Sequence, residues 1–328
     1  MKQLAVLGGG SWGTALAMAL APKFDHVRQW VFETDLAARM QTTRENDIFL
    51  PGFKLPANVT VFPKLADAIV GADIVLGVTP SHHLRRVFLH AKPLFNDQML
   101  LVSATKGLEN VTLLRMSQVI FEVTGYSSAV LSGPSFAKEV ARGEPTACVI
   151  SSEFPGLARA IQSAFSTPNF RLYANSDPIG TEIGGAMKNV MAIASGVCHG
   201  LGFGSNTSSA LITRGLAEMT RLAVSLGGQP QTLSGLAGVG DLVLTTTGGL
   251  SRNRQVGIEL AKGRSLEDIV GSTKMVAEGV ETTKAACDLA RRQGVDVPIT
   301  NSMHSVLFEG KSPKSAIRDL MERSLKME

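Results

Sequence analysis

Aromatic residues, cysteines and long apolar runs are all scarce in this sequence. Aromatics make up only 5% of the 328 residues, and the 32 lysines and arginines are scattered, so the formal net charge of +4 does not indicate a nucleic-acid surface. The three cysteines, Cys148, Cys198 and Cys287, are odd in number and lie among apolar or small residues, which predicts reduced, buried thiols. None has metal-ligand spacing with the six histidines, so no metal site is expected. No apolar run is long enough to span a membrane. The mild positive charge instead suits small anionic molecules.

The apolar content is ample, because 44% of the residues are hydrophobic and the length is typical of two globular domains. The first apolar run begins at Leu4, which leaves no room for a secretory signal peptide. We therefore expect a cytoplasmic protein without a membrane anchor.

The stretch from Lys2 to Gly13 carries the strongest motif. The apolar run from Leu4 to Leu7 ends in Gly8-Gly9-Gly10-Ser11-Trp12-Gly13, and strong helix formers follow. This order predicts a strand, a tight turn and a helix whose N-terminus binds a pyrophosphate. Gly8 would allow the sharp turn, Gly10 the close approach of the phosphates and Gly13 the packing of helix on strand. The alternative is a tight turn that binds nothing.

A second strand, Val27 to Phe32, is predicted to end next to Glu33, about 20 residues after the last glycine of the motif. A carboxylate there accepts hydrogen bonds from the cofactor ribose and favours NAD. Arg39 and Arg44 follow closely and would suit the 2′-phosphate of NADP, so the choice between NAD and NADP stays open. Glu33 as a solvated strand end is the alternative.

Strand and helix patterns alternate up to Asp177-Pro178, and only helical patterns follow. We predict an α/β fold, with an N-terminal doubly wound (Rossmann-type) parallel sheet in residues 1–177 and a C-terminal all-helical domain in residues 178–328. The first domain would bind the dinucleotide, and the second would contribute the substrate-binding and catalytic residues. Four prolines and glycines within Asn46 to Pro63 predict an irregular surface excursion there.

Two of the predicted strands end in polar residues. Lys106 follows the strand Leu100 to Ala104, and Ser135 follows the strand Ala129 to Leu131. Ligands of open α/β sheets bind beyond the carboxyl ends of strands, so both are candidate ligand contacts. A solvated lysine and a helix-capping serine are the alternatives.

The second predicted domain contains a lysine within an otherwise apolar segment. Between Ile183 and Ala194, Lys188 and Asn189 are the only strongly polar side chains. Desolvation lowers the pKa of an amine, which suits a group that exchanges a proton with a carbonyl or alcohol. Asp241 lies in a predicted loop of small residues, where it would pair with Lys188. The alternatives are a lysine that snorkels to the surface and an aspartate that caps the next helix.

Ser251-Arg252-Asn253-Arg254 opens a predicted helix that runs to about Lys262. Ser251 is a good N-cap. Backbone donors, helix dipole and guanidinium together favour a phosphate dianion, although a solvated basic helix start would have the same sequence.

Six ordered motifs together resemble the bacterial NAD(P)-dependent glycerol-3-phosphate dehydrogenase family, and the similarity covers nearly the whole chain. The motifs are Gly8 to Ala15, Ala104 to Leu108, Ser132 to Ala137, Lys188 to Val190, Gly238 to Leu242 and Ser251 to Arg254. The resemblance implies reversible reduction of dihydroxyacetone phosphate to sn-glycerol 3-phosphate with NADPH or NADH, which supplies glycerophospholipid synthesis. Phe32 stands where members of the family often carry a polar or basic residue.

The resemblance also implies roles for individual residues. Lys188 would donate the proton in reduction and accept it in oxidation, with Asp241 and Lys106 as the other candidate catalytic residues. Cofactor contacts would come from Gly8, Gly10, Ser11, Trp12, Gly13, Glu33, Lys106, Ala137, Arg252, Val276 and Glu278. Substrate contacts would come from Lys106, Gly133, Ser135, Lys188, Asp241, Ser251, Arg252 and Asn253.

Two other functions keep the glycine motif. A 3-hydroxy-acid dehydrogenase of the same architecture would bind a carboxylate in place of the phosphate, and a non-catalytic NADPH sensor would need no lysine beside a phosphate site. The sequence does not fix the oligomeric state and is compatible with a homodimer.

Overall fold

The computed structural model describes residues 2–271 and 277–325. Within these residues the chain forms ten strands and sixteen α-helices. The strands are β1 (Gln3–Leu7), β2 (His26–Trp30), β3 (Glu45–Asn46), β4 (Leu50–Lys54), β5 (Val59–Phe62), β6 (Ile74–Gly77), β7 (Leu100–Ser103), β8 (Ser128–Ser132), β9 (Thr146–Ser151) and β10 (Phe170–Asn175).

The helices begin directly after β1 and dominate the second half of the chain. They are α1 (Ser11–Leu20), α2 (Thr34–Thr43), α3 (Leu65–Ile69), α4 (Ser81–Ala91), α5 (Met116–Thr124), α6 (Ala137–Ala141), α7 (Pro155–Phe165), α8 (Pro178–Gly200), α9 (Ser205–Ser225), α10 (Pro230–Leu233), α11 (Asp241–Thr247), α12 (Arg252–Ala261), α13 (Leu266–Gly271), α14 (Glu278–Gln293), α15 (Pro298–Phe308) and α16 (Pro313–Met321).

Eight strands form one sheet in the order β10-β9-β8-β7-β6-β1-β2-β5, and β3 and β4 form a separate hairpin. The chain runs outward from β1 through β2 to β5, then crosses over to β6 on the other side of β1. The strand order therefore reverses between β1 and β6, the position where open α/β sheets bind their ligands. The prediction of a doubly wound sheet followed by a helical domain is confirmed.

The sheet is not wholly parallel, because β9 runs antiparallel to β8. The predicted all-parallel sheet is wrong at this one pairing. A parallel crossover needs a helix long enough to carry the chain back along the sheet. α6, between β8 and β9, has only five residues. The next strand therefore starts near the end where β8 finished.

The stretch from Asn46 to Pro63 is not an irregular excursion, and that prediction is wrong. It contains β4 and β5, and β5 pairs in parallel with β2 at the edge of the sheet. Pro51 and Gly52 lie within β4, and Pro56 and Pro63 lie on either side of β5. Asn46 itself is completely buried.

Both faces of the sheet are covered by helices. Leu4 and Val6 of β1 belong to a core shared with α1, α2 and α7. Ala5 and Leu7 point to the opposite face and belong to a core shared with α3, α4 and α5. This alternation follows from the two-residue period of a strand, and burial on both faces explains why the predicted strands are continuously apolar.

The chain divides into two compact units. The first comprises Met1–Lys106 and Leu114–Glu182, and the second comprises Gly107–Leu113 and Ile183–Glu328. The regular elements described in the second unit are all helical. Among the described helices, none combines the length and apolar character needed to cross a bilayer. The assignment of dinucleotide and substrate binding to separate domains stays a prediction.

From Ile183 onward, α8 is the central helix of the second unit. Its side chains from Ile183 to Ala194 are nearly all buried, as expected for a helix that is apolar on every side. Two glycines bring α8 and α12 into backbone contact: a Cβ on Gly196 would lie 1.9 Å from the carbonyl oxygen of Arg254, and one on Gly257 would lie 2.0 Å from that of Ile193. The backbones of α8 and α12 therefore touch.

Candidate active site

The glycine turn after β1 is shaped by close backbone contacts. Gly8 has a φ of +147°, and a Cβ there would lie 2.5 Å from the carbonyl oxygen of Val78. A Cβ on Gly13 would lie 2.3 Å from the carbonyl oxygen of Gly8, whereas a Cβ on Gly10 would meet nothing within 4 Å. Two of the glycines are therefore required by packing, and Gly10 faces open space. This is the division of roles that the motif predicts.

Two buried amides hold the turn in place. Gln29 donates from Nε2 to the carbonyl oxygen of Gly8 at 3.0 Å, and Asn46 donates from Nδ2 to that of Gly9 at 2.8 Å. Both amides also donate to the hydroxyl of Thr14, at 3.1 and 2.9 Å. The sequence prediction missed both residues. Gln29 gave a usable signal, because an amide in a buried strand needs a partner.

The residues of this turn fit a dinucleotide pyrophosphate. Gly10 is the N-cap of α1, and no side chain caps that helix, so its first backbone N–H groups are oriented as in known anion sites. The indole Nε1 of Trp12 is buried and has no hydrogen-bond partner among the described residues. Uncapped donors, the dipole and the space beside Gly10 together favour an anion at this helix N-terminus.

The residues predicted to select the cofactor lie beyond β2. Glu33 precedes α2 and is exposed. Arg39 forms an ion pair with Asp47, and Arg44 donates to the backbone carbonyl oxygens of Leu55 and Pro56. Both arginines therefore have partners within the protein.

Beyond the ends of β7 and β8, the structure brings together three predicted ligand contacts. Lys106 Nζ donates to the carbonyl oxygen of Gly133 at 3.0 Å and lies 3.5 Å from the hydroxyl of Ser135. Ser135 donates to the same carbonyl at 2.9 Å. The capping alternative for Ser135 is wrong, because α6 begins after Phe136 without a side-chain cap. Ala137 is the first residue of that helix.

In the second unit, the buried lysine of α8 is paired as predicted. Lys188 Nζ lies 2.6 Å from Oδ1 of Asp241 and 2.9 Å from the hydroxyl of Thr245. Lys188 is 8% exposed and Asp241 is 0% exposed. The surface-snorkelling alternative for Lys188 is therefore wrong. At such burial a carboxylate partner stabilises the charged ammonium and keeps its position fixed.

The prediction that Asp241 lies in a loop is wrong, and Asp241 does not cap a helix either. It is the first residue of α11 and directly follows a turn of π-helix, Leu236–Gly240. Thr245 lies four residues further on, so both side chains share a face of α11. Thr245 donates to the backbone oxygen of Asp241 at 2.7 Å. The sequence prediction missed Thr245, although the four-residue spacing was available.

The start of α12 has the predicted cap. Ser251 is the N-cap, and its hydroxyl accepts a hydrogen bond from the backbone N–H of Arg254 at 3.2 Å. Arg252 is exposed at the first helical position, where its guanidinium and the helix N-terminus both favour an anion.

Asn253 plays a role that the sequence did not indicate. Its Nδ2 donates to the side-chain oxygen of Asn189 at 3.0 Å, and its Oδ1 accepts from the backbone N–H of Gly279 at 2.9 Å. This buried carboxamide therefore ties α12 to α8 and α14. Asn189, the neighbour of Lys188, was not among the predicted site residues.

Two predicted contacts, Glu278 and Val276, remain. Glu278 is the first residue of α14. Val276 lies outside the described residues. The three cysteines are buried, as expected, and burial raises the pKa of the Cys287 thiol to about 12 and also raises that of Cys198. The thiols of Cys198 and Cys287 therefore stay protonated and are poor nucleophiles.

The sequence comparisons with known proteins indicate one family. Residues 3–158 match the sequence model of the NAD-dependent glycerol-3-phosphate dehydrogenase N-terminus, and residues 177–318 match that of the C-terminus. A protein of Koribacter versatilis named glycerol-3-phosphate dehydrogenase [NAD(P)+] is 54% identical, over 98% of each chain. A protein of the same name from Citrifermentans bemidjiense is 50% identical, over 100% of this chain and 99% of its own.

A solved structure agrees with these sequence matches. The crystal structure of glycerol-3-phosphate dehydrogenase from Coxiella burnetii superposes with a TM-score of 0.95 at 38% identity, covering 98% of this chain and 99% of that one. This chain therefore belongs to the NAD-dependent glycerol-3-phosphate dehydrogenase family.

Proposed function

We propose that this protein catalyses the reversible reduction of dihydroxyacetone phosphate to sn-glycerol 3-phosphate, with NADH or NADPH as the cofactor. The observation that carries the proposal is the amine of Lys188, buried and held by Asp241 and Thr245 in the second unit. A buried amine in a fixed position suits proton exchange with a carbonyl oxygen. The reaction of the family supplies such a carbonyl, that of dihydroxyacetone phosphate.

The proton step belongs to Lys188. In the direction of reduction, Nζ donates a proton to the carbonyl oxygen of the substrate, and in oxidation it removes the proton from the alcohol. Asp241 holds the ammonium in place and balances its charge. Thr245, anchored on the backbone oxygen of Asp241, fixes the second hydrogen bond of the amine. These contacts pre-organise the amine, so that little reorganisation is needed during the reaction.

The phosphate of the substrate would bind at the start of α12. Arg252 supplies a guanidinium, and the first backbone N–H groups of the helix supply donors and the positive end of the dipole. Ser251 and Asn253 keep this helix start in position through the cap and the carboxamide bridge. In the first unit, Lys106, Gly133 and Ser135 form a second polar cluster that we assign to the substrate, with Lys106 also contacting the cofactor.

The dinucleotide would bind at the glycine turn, where Ser11, Trp12 and the N-terminus of α1 face its pyrophosphate. When bound, its nicotinamide supplies or accepts the hydride. Ala137, Arg252 and Glu278 are further proposed contacts. The protein itself contributes position and charge complementarity.

A spectrophotometric assay tests the function directly. Purified protein is mixed with dihydroxyacetone phosphate and with NADH or NADPH in turn, and oxidation of the nicotinamide is followed. We expect turnover that needs the phosphate of the substrate. Turnover of 3-oxo acids in its place would indicate a hydroxy-acid dehydrogenase, and tight NADPH binding without any turnover would indicate a sensor.

We further propose that the protein works in the cytoplasm and supplies glycerol 3-phosphate to phospholipid synthesis. The three buried cysteines form no disulfide, which supports a reducing compartment. A homodimer stays a prediction that light scattering would test.

A further inference from the structure

The chain after β2 passes directly beside the glycine turn. The backbone N–H of Gly8 donates to the carbonyl oxygen of Trp30 at 3.1 Å. A Cβ on Gly9 would lie 2.7 Å from the side chain of Val31, so these two residues are in close contact. Glu33 follows two residues later, at the start of α2. The carboxylate therefore lies beyond the end of the strand next to the proposed pyrophosphate site.

Glu33 is also available to a ligand. Its side chain is exposed and does not cap α2, and among the described residues none forms an ion pair with it. The carboxylate therefore carries its negative charge without a counter-ion from the protein.

The two arginines that would suit a 2′-phosphate are occupied. Arg39 makes two hydrogen bonds to the carboxylate of Asp47, at 3.0 and 3.1 Å. This pair lowers the pKa of Asp47 and raises that of Arg39, chiefly through the hydrogen bond between them. Arg44 has a left-handed backbone conformation, with a φ of 58°, and its guanidinium lies on the carbonyl oxygens of Leu55 and Pro56.

The cations of α4 are further candidates to receive a 2′-phosphate. Arg86 lies over the ring of Phe32, with Cζ 5.8 Å from the centroid. His82 and His83 stack with centroids 4.0 Å apart. Burial, and then the neighbouring His82 and Arg86, lower the pKa of His83, while Glu33 opposes the shift. Because the pKa of His83 is lowered from an ordinary value already below physiological pH, His83 adds little positive charge there, and the guanidinium of Arg86 packs on the ring of Phe32.

We infer that Glu33 makes this protein selective for NADH over NADPH. The inference rests on the proposed function only in assuming a nicotinamide dinucleotide at the glycine turn. The carboxylate accepts hydrogen bonds from the adenosine ribose hydroxyls of NADH. In NADPH one hydroxyl carries a phosphate dianion, which removes a donor and places like charges side by side. Phe32 presents no hydrogen-bond donor to that phosphate.

Direct binding tests the inference without turnover. The dissociation constants of NADH and NADPH are measured by nucleotide fluorescence for the wild type, for Glu33→Gln and for Asp35→Asn. Asp35 is an exposed acid in the first turn of the same helix, so its variant removes an equal charge and serves as the matched control. We expect the wild type to bind NADH about tenfold more tightly than NADPH.

Glu33→Gln should shrink this preference at least about fivefold, mainly because NADPH binds more tightly, and Asp35→Asn should leave it within about twofold. The wild-type preference should also fall as salt rises from 0.05 to 0.5 M, roughly the range over which charge repulsion is screened. A preference in Glu33→Gln that still depends on salt would contradict the assignment.

Three results would overturn the inference: tighter NADPH binding by the wild type, an unchanged preference in Glu33→Gln, or a selective loss of NADPH affinity in Arg86→Ala. The last would show that Arg86 receives the 2′-phosphate. Selective NADH binding without reduction of dihydroxyacetone phosphate would instead refute the proposed function and leave this inference standing.

Discussion

The glycine turn of the first unit, our proposed pyrophosphate site, and the Lys188 cluster of the second differ in the groups that would stabilise a charge. At the turn, backbone groups make the site, and the side chains of Gln29 and Asn46 brace its carbonyl oxygens. In the second unit, ionised side chains are themselves buried, and each depends on a partner of opposite charge or on donors. A backbone site keeps its charge properties at any pH, whereas a site of buried ions depends on protonation and on each partner.

This contrast explains which substitutions each site tolerates. A backbone site fails when a side chain fills its space. A buried ion pair fails when one partner is removed, because the other charge is left in a medium that solvates it poorly.

Removing the amine should have the largest effect. Lys188→Ala is expected to lower kcat by about 10²- to 10⁴-fold, because the proton donor is lost, while the affinity for NADH stays close to that of the wild type. Rapid-mixing assays and nucleotide titration measure the two quantities. Loss of nucleotide binding would show that the lysine has been misassigned.

The same variant tests the burial argument. Lys188→Ala leaves the carboxylate of Asp241 without its partner and should reduce the free energy of unfolding by about 3–5 kcal/mol. Lys188→Ala combined with Asp241→Ala should recover part of this loss and none of the activity. If urea unfolding shows the double variant to be the less stable, then the unpaired charge is not the cause.

A second buried carboxylate makes the second unit sensitive to pH. Glu218 is 1% exposed and accepts hydrogen bonds from the backbone N–H groups of Ile299 and Thr300 at the start of α15. Burial raises its pKa to about 7, against these hydrogen bonds, which lower it. Because the folded-state pKa lies above the unfolded value of about 4.3, stability is full below that value and is lost as pH rises through 7.

The free energy of unfolding of the wild type, relative to that of Glu218→Gln, should therefore fall by about 3 kcal/mol between pH 4.5 and 8. Urea titrations at four pH values measure this difference. A difference that is constant with pH would contradict the raised pKa, whatever the absolute stability of Glu218→Gln.

The phosphate assignment predicts a smaller effect on binding. Arg252→Ala should raise KM for dihydroxyacetone phosphate by about 10- to 100-fold, because a charge-assisted contact contributes roughly 1.5–3 kcal/mol, and should change kcat less. Lys262→Ala, which removes a cation beyond the other end of the same helix, should leave KM unchanged. Equal KM values for wild type and Arg252→Ala would place the phosphate elsewhere.

Two alanine substitutions distinguish the open space beside Gly10 from the tight backbone packing at Gly13. Gly10→Ala adds a methyl group where nothing lies within 4 Å and the backbone is extended, so stability should change by less than about 1 kcal/mol while NADH affinity falls at least about tenfold. Gly13→Ala places its methyl against the Gly8 carbonyl and should also cost about 1–3 kcal/mol of stability. Thermal unfolding and NADH titration distinguish them, and unchanged affinity in Gly10→Ala would argue against a pyrophosphate there.

Local pattern was enough to predict much of this molecule. The order of strand, glycine turn and helix predicted the first site's geometry, and one lysine in an apolar helix predicted its burial and its pairing with Asp241. The catalytic and binding roles of these residues stay predictions. The cap at Ser251 was equally predictable, since the hydroxyl needs only the next turn of its own helix.

The failures involve contacts between segments distant in sequence. β5 is a four-residue strand between prolines, and its identity comes from pairing with β2. The antiparallel direction of β9 is an exception, because it follows from the short length of the neighbouring helix α6. Asn46 bonds to Gly9, and Asn253 bonds to Asn189 and Gly279, and no local pattern connects those positions.

The contact between Gly196 of α8 and Gly257 of α12 sets the distance between these two helices. It lies about two helical turns from Lys188 on α8, and on α12 it lies a little more than one turn from Arg252. With no side chain between them, the backbones of α8 and α12 lie in direct contact, and the spacing between the proposed proton donor and the proposed phosphate anchor depends on that contact. A methyl group added at either glycine would collide with the backbone of the other helix and push the two helices apart, so it would alter that spacing from a distance.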